Sequence, residues 1–242
     1  GAGGSVADLC AMLDEAAYAL IPGPVATTAL ATLVIDDPEL LGRLCTGDLT
    51  AGAAFDAELR EDVHGGSVRV SGTADYVLGA VTGGVLGAVT GLLILPVGEH
   101  VVAVDAAAAG VSIEPLTATD FSRPLAKVTL RNSPATRLAV SRRRFSDLAA
   151  TVLAAEAAGV ARWTLHAATE YAKVREQFGR PIGSFQAVKH LCAEMLLRSQ
   201  QVAVTAADAA EAAACSSGPA SGDDQLSIAA AVAAAVGIGA AK

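Results

Sequence analysis

The residues best suited to chemistry are gathered in one short stretch: Arg175-Glu176-Gln177-Phe178-Gly179-Arg180-Pro181-Ile182-Gly183-Ser184-Phe185-Gln186. An arginine offers a planar fork of donors that takes a phosphate through two parallel hydrogen bonds. An aromatic nearby covers a flat heterocycle such as adenine, and a glutamine bonds a ribose or a base edge. Arg175, Gln177, Phe178 and Gln186 are therefore the candidate ligand-holding residues, and a nucleotide is the chemistry they suit. Singly, each has an ordinary surface explanation; the whole string is far more specific than its parts.

Helices must position these groups. The chain turns helical at Arg142, with Phe145, Leu148 and Val152 at i, i+3 and i+7. The Ala-rich run is expected to continue to Phe178, where Gly179 and Pro181 stop it. A second helix follows over about 187–214, with Val188, Leu191, Cys192 and Met195 on one face. Arg175, Gln177 and Phe178 should then lie at the C-terminal end of a helix, at the junction of an antiparallel pair. Residues 216–222 read as a loop, and a last Ala/Val helix begins near Asp224.

Two further zones precede this one. Residues 5–20 read as a helix capped by Ser5, with Leu9, Met12, Leu13 and Ala16 as its apolar face. Residues 27–35 and 39–45 look like short helices, with Pro22-Gly23-Pro24 and Asp36-Asp37-Pro38 as breaks. From about Ala51 short β-type runs take over, among them residues 67–72 after Gly65-Gly66, 101–104 and 127–130, punctuated by Gly110 and Asn132-Ser133-Pro134. The implied fold is α+β, with N-terminal helices (1–49), a small central β-barrel or sandwich domain (50–139) and a C-terminal antiparallel helix bundle (140–242).

Composition bounds the function. The net charge of −8 argues against a nucleic-acid backbone binder, which needs a basic face. Cys10, Cys45, Cys192 and Cys215 are far apart with no CxxC pair, so neither a disulfide framework nor a zinc site is expected. A reducing cytoplasm fits, and Gly1-Ala2-Gly3-Gly4-Ser5 has no signal-peptide character. Residues 76–98 are 23 uncharged residues. Gly79, Gly83, Gly84, Gly87 and Gly91 interrupt them and Pro96 closes them, without flanking basic clusters, so two buried strands around a glycine-rich turn are expected rather than a membrane span. His166 and His190 fall on helices without a partner at metal spacing, and His64 and His100 read as loop residues. Trp163 reads as a bundle-packing residue, and Arg142-Arg143-Arg144 as a solvated junction patch or a coenzyme A phosphate contact.

The string at 175–186 also resembles the helix-pair signature of acyl-CoA dehydrogenases, flavoproteins that desaturate acyl thioesters. The resemblance extends more weakly along the chain: residues 1–33 to the end of the N-terminal helical domain, about 44–140 to the β domain, and Gly159 and Tyr171 to the long helix. On this likeness the fold would be incomplete at both ends. The resemblance implies flavin adenine dinucleotide (FAD) as cofactor, with Arg175, Gln177, Phe178 and Gln186 contributing to a flavin shared across a subunit interface. It implies an acyl-CoA substrate from lipid or steroid side-chain catabolism. It also implies a homo- or hetero-oligomer, dimer or tetramer, built through the C-terminal helices.

The departures from that family pattern bear on catalysis. The flavin loop that usually reads like TEPxAGSD is here Phe55-Asp56-Ala57-Glu58-Leu59-Arg60-Glu61-Asp62, shortened and acidic. The usual Trp-x-Thr contact appears as Tyr76-Val77-Leu78, which keeps a ring and loses a hydroxyl. Desaturation needs a base at the α-carbon. One family branch places a glutamate where Ala149 stands, and the other places it after the last helix, beyond Lys242. Asp147 and Glu156 are expected to be solvated helix residues. Two readings follow: a dehydrogenase subunit without a recognisable base of its own, or a non-catalytic partner that lends half a flavin site and the oligomer interface.

Overall fold

The computed structural model describes residues 4–80, 90–216 and 224–240. The helices are α1 (Val6–Tyr18), α2 (Val25–Thr32), α3 (Pro38–Thr46), α4 (Arg142–Val174), α5 (Gln186–Cys215) and α6 (Asp224–Ala240). The main strands are β1 (Thr50–Ala53), β2 (Glu58–His64), β3 (Ser67–Leu78), β4 (Thr90–Val97), β5 (His100–Asp105), β6 (Val111–Pro115) and β7 (Leu125–Arg137). A two-stranded ribbon, β8 (Glu176–Gln177) and β9 (Arg180–Pro181), joins α4 to α5. The chain forms two compact units, one from the residues through Ile21 with Ala150–Ser216 and those from Asp224, the other from Pro22–Ala149.

In the second unit the sheet closes on itself. β3 pairs with β1, β1 with β4, β4 with β5, β5 with β7, and β7 returns to β3, so five strands form a barrel to which β2 and β6 are added as flanking hairpins. Val70, Ala74 and Val77 of β3 and Ala126, Val128 and Leu130 of β7 point inward to meet Leu93, Leu95, Val102 and Val104. Strand side chains alternate with period two, so one extra residue reverses the faces downstream. That happens twice. Asp75 and Tyr76 together oppose Lys127, and Arg131 and Asn132 oppose Ser71. Asn132 takes the left-handed backbone (φ 53) this second bulge requires.

Asn132-Ser133-Pro134 does not end a strand but lies within β7, because the bulge absorbs the irregularity. The acidic stretch after Ala57 is no loop: Glu58–His64 is β2, paired residue by residue with β3 from Glu58↔Thr73 to His64↔Ser67. His64 and His100 accordingly sit at strand ends. β4 is buried nearly throughout, as expected of one buried strand; the glycine-rich turn expected before it falls on residues 81–89, outside the described residues. Most of the loop expected at 216–222 is likewise outside them.

The helical unit is held by small side chains. Ala154 and Ala158 of α4, Val202, Ala206 and Ala209 of α5, and Ala229 and Ala233 of α6 share one core cluster. Alanine lets helices approach closely while favouring the helical state. Ser5 and Asp8 cap α1 reciprocally. Its buried face is Cys10, Leu13 and Ala17 rather than Leu9, Met12 and Ala16; Met12 is 46% exposed. The apolar residues at the start of α5 are also not core: Leu191 is 60% exposed, and the buried residues begin at Ser199. α4 is long and apolar enough by composition to cross a membrane, a property that buried core helices share.

Candidate functional site

The helix carrying the candidate residues stops earlier than periodicity suggests. α4 ends at Val174, and Arg175, Gln177 and Phe178 stand beyond it, in a tight hairpin rather than a last helical turn. Glu176 pairs with Pro181 and Gln177 with Arg180. Phe178 (φ 55) and Gly179 (φ 75) both take left-handed backbone in the two-residue turn. That is the type I′ pattern, whose twist suits the strands; Gly179 adopts it freely and Phe178 at a cost. The Ile182 amide donates to the Arg175 carbonyl at 2.7 Å, and Arg175 N–H to Tyr171 O at 2.9 Å, which fastens the hairpin to the helix end.

The hairpin brings all four candidate residues to one end of the α4–α5 pair. Phe178 is 91% exposed, its ring edge-to-face with that of Phe185 at 6.1 Å. Phe185 caps α5, and Gln186 is the first residue of that helix, exposed. The Arg180 guanidinium lies over the Phe185 ring at 4.2 Å. The Arg175 guanidinium makes no ion pair or hydrogen bond with any described residue. Chemically, the hairpin presents a free fork of donors beside an aromatic held out in solvent, the features that fit an anionic nucleotide.

In the barrel unit, the two stretches that depart from the family pattern are neighbours. Ala53 at the end of β1 pairs with Leu78 and Glu58 at the start of β2 pairs with Thr73, so residues 54–57 connect points of β3 on either side of Tyr76. The Asp75–Tyr76 bulge turns Val77 inward (0% exposed) and Tyr76 outward (71% exposed). Lys127 Nζ, 2.9 Å from Asp75, spans the bulge. Asp56 is held by Arg142 at 3.3 Å, and Arg142 also donates to Gly98 O at 3.0 Å. A carboxylate at the tip of this connection disfavours a phosphate, so this half of the expected cradle does not fit the group as well as the hairpin does.

Of Arg142-Arg143-Arg144 only Arg143 is exposed as a solvated patch requires: Arg142 makes those bonds and Arg144 is buried. Asp147 and Glu156 are half-buried and engaged rather than solvated, because α4 turns both toward protein. Ala149 is 2% exposed and supplies no base.

One feature had no sequence signal. A groove of about 490 Å³ in the helical unit is lined by Tyr18, Arg162, His166, Cys192 and Leu196, among others. Arg162 reaches Asp14 at 3.2 Å and Glu15 at 2.8 Å and stacks on the Tyr18 ring at 4.3 Å. These residues come from α1 and, far from it in sequence, from α4 and α5.

Comparison with known proteins agrees with this architecture. Residues 139–241 match the family model described as acyl-CoA dehydrogenase, C-terminal domain. The chain is 59% identical over all its 242 residues to acyl-CoA dehydrogenase FadE34 of Mycobacterium tuberculosis, but spans only 32% of that protein's length. The structure of the Tcur3481-Tcur3483 steroid ACAD is similar at a TM-score of 0.86, with 28% identity, over 99% of this chain and 69% of that one. The ChsE4-ChsE5 complex from Mycobacterium tuberculosis shares the fold at a TM-score of 0.84 and 24% identity, over 99% of this chain and 68% of that one. From its helix–barrel–helix order to its C-terminal helices the chain is similar to acyl-CoA dehydrogenases, and its residues 139–241 are an acyl-CoA dehydrogenase C-terminal domain.

Proposed function

We propose that this chain is part of an FAD-dependent acyl-CoA dehydrogenase that desaturates an acyl-CoA thioester between its α and β carbons, in lipid or steroid side-chain catabolism. The observation that carries this is the hairpin after α4, with Arg175 unpaired among the described residues and Phe178 held outward in a strained turn. A bound flavin supplies the hydride acceptor for the β carbon. Arg175 would hold a phosphate of that cofactor, Phe178 would cover its adenine, and Gln177 and Gln186 would bond its polar edges. The names of the relatives, a steroid ACAD among them, support the steroid side of the substrate class.

A second reading has its own observations: the chain is a non-catalytic partner that lends half a flavin site and the oligomer interface. Ala149 is buried without a carboxylate, and Asp56 occupies the strand-end connection where a phosphate would need donors. The two readings share the hairpin and differ in the base.

Arg175→Ala combined with Phe178→Ala tests the shared part. The doubly substituted protein, purified with its partner chains, should retain clearly less FAD after gel filtration than the parent. Unchanged flavin content refutes the assignment. Reduction of an electron-accepting dye by the pure homo-oligomer with an acyl-CoA separates the readings, since a non-catalytic partner gives none.

A further inference from the structure

The hairpin carries two arginines in different circumstances. Arg175 has no described partner, whereas the Arg180 guanidinium sits 4.2 Å over the Phe185 ring. Phe185 is fixed: its amide donates to Ile182 O and its carbonyl accepts from Lys189 N–H, both at 3.1 Å. Its ring meets that of Phe178 at 6.1 Å and 83°. Phe178 itself is 91% exposed and in a backbone conformation that a residue with a Cβ avoids. Such a conformation persists only where surrounding contacts favour it. The hairpin pairing and the bond from Ile182 to Arg175 favour the turn, and the stack from Arg180 through Phe185 to Phe178 adds a side-chain contact to them.

We infer that Arg180 is a positioning residue: by clamping Phe185 it holds Phe178 outward in the left-handed turn, and so leaves Arg175 for the anionic ligand. What Phe178 meets rests on the flavin reading above; the positioning itself does not. A direct phosphate contact by Arg180 is the competing role, and the two give different results.

The test uses the full chain with Arg180→Gln, Arg180→Lys, Phe185→Leu and the Arg180→Gln/Phe185→Leu double variant, with Arg175→Gln alongside. Amide exchange is read at Ile182 and across the turn, and FAD retention in the purified complex. Loss of an exposed cation–π contact corresponds to exchange faster by about 2- to 5-fold in Arg180→Gln. Phe185→Leu, which also removes the ring against Phe178, should give at least that change, and the double variant no more than Phe185→Leu alone. Arg180→Lys should recover most of the protection, because an ammonium still attracts the ring face. FAD affinity should fall by the same factor with an unchanged Tm. Wild-type exchange in Arg180→Gln overturns the proposal, as do additive effects in the double variant. If FAD retention ignores Arg175→Gln as well, the flavin reading fails, and the exchange data still decide the role of Arg180.

Discussion

A single added carbon at Gly159 should force α1 away from α4. A Cβ built there lies 2.1 Å from Asp14 O and 2.8 Å from both Ala17 Cβ and the Tyr18 amide nitrogen. Two of these three atoms are backbone, so no rotamer change relieves the overlap, and ordinary contact requires more than 1 Å of helix displacement. The same shift stretches the Arg162 bonds to Asp14 and Glu15 and lifts its guanidinium from Tyr18. Overpacking of this kind costs roughly 1–3 kcal/mol. Alanine's better helix propensity returns up to about 1 kcal/mol. With a backbone overlap this deep the cost lies at the upper end of that range, so Gly159→Ala should lose about 2 kcal/mol, seen as a lower urea midpoint at constant slope. Gly237→Ala is the matched comparison: its Cβ meets only Ala157 Cβ, at 3.7 Å, an ordinary contact. That substitution should gain about 0.5–1 kcal/mol from helix propensity alone. The same chemical change thus acts in opposite directions at two helix glycines. A Gly159→Ala protein as stable as the parent, or both variants moving the same way, would refute the close approach of α1 to α4.

Other measurements bear on separate parts of the molecule. Burial pushes the Cys10 thiol up to about 11, and the residue is 4% exposed. At pH 8 the exposed Cys45 and Cys215 should be alkylated promptly, while Cys10 should react only as fast as α1 opens; prompt reaction of Cys10 would contradict its burial. Hydrogen bonds from Arg137, at 2.6 and 2.9 Å, hold the Glu61 carboxyl below its ordinary range. A lowered carboxyl pKa contributes stability above the unfolded value near 4.5, and this is lost as pH falls through the folded value. The Tm gap between the parent and Arg137→Met should be full at pH 7 and narrow below about pH 4.5; a gap independent of pH would remove Glu61 as the partner. In the assembled protein, Arg175→Ala with Phe178→Ala should lower flavin content as described above.

Local patterns disclosed much of this molecule. The i, i+3, i+7 spacing of Phe145, Leu148 and Val152 marks the buried face of α4, and Ser5 caps α1, because both depend on neighbours within a turn or two. The candidate site was legible as a string, since Arg175, Gln177, Phe178 and Gln186 are close in sequence. Its conformation was not. Helix propensity carries the reading to Phe178, yet the chain leaves the helix at Val174, because the hairpin pairing and the bond from Ile182 to Arg175 outweigh a few more residues of helix. The stack of Arg180 on Phe185 likewise exists only once the turn has formed. In the barrel, alternation identified β3, but the bulge that turns Tyr76 outward depends on its register with β7. That register belongs to residues about fifty positions away. The groove around Arg162 needed tertiary structure altogether, since α1 meets α4 and α5 there across more than a hundred residues of chain. Sequence alone pointed to the family, to the helix–β-domain–helix order and to the string of residues at 175–186. Tertiary structure decided where each element stops and which way each side chain faces, because those outcomes are set by pairing and packing between segments that no local pattern connects.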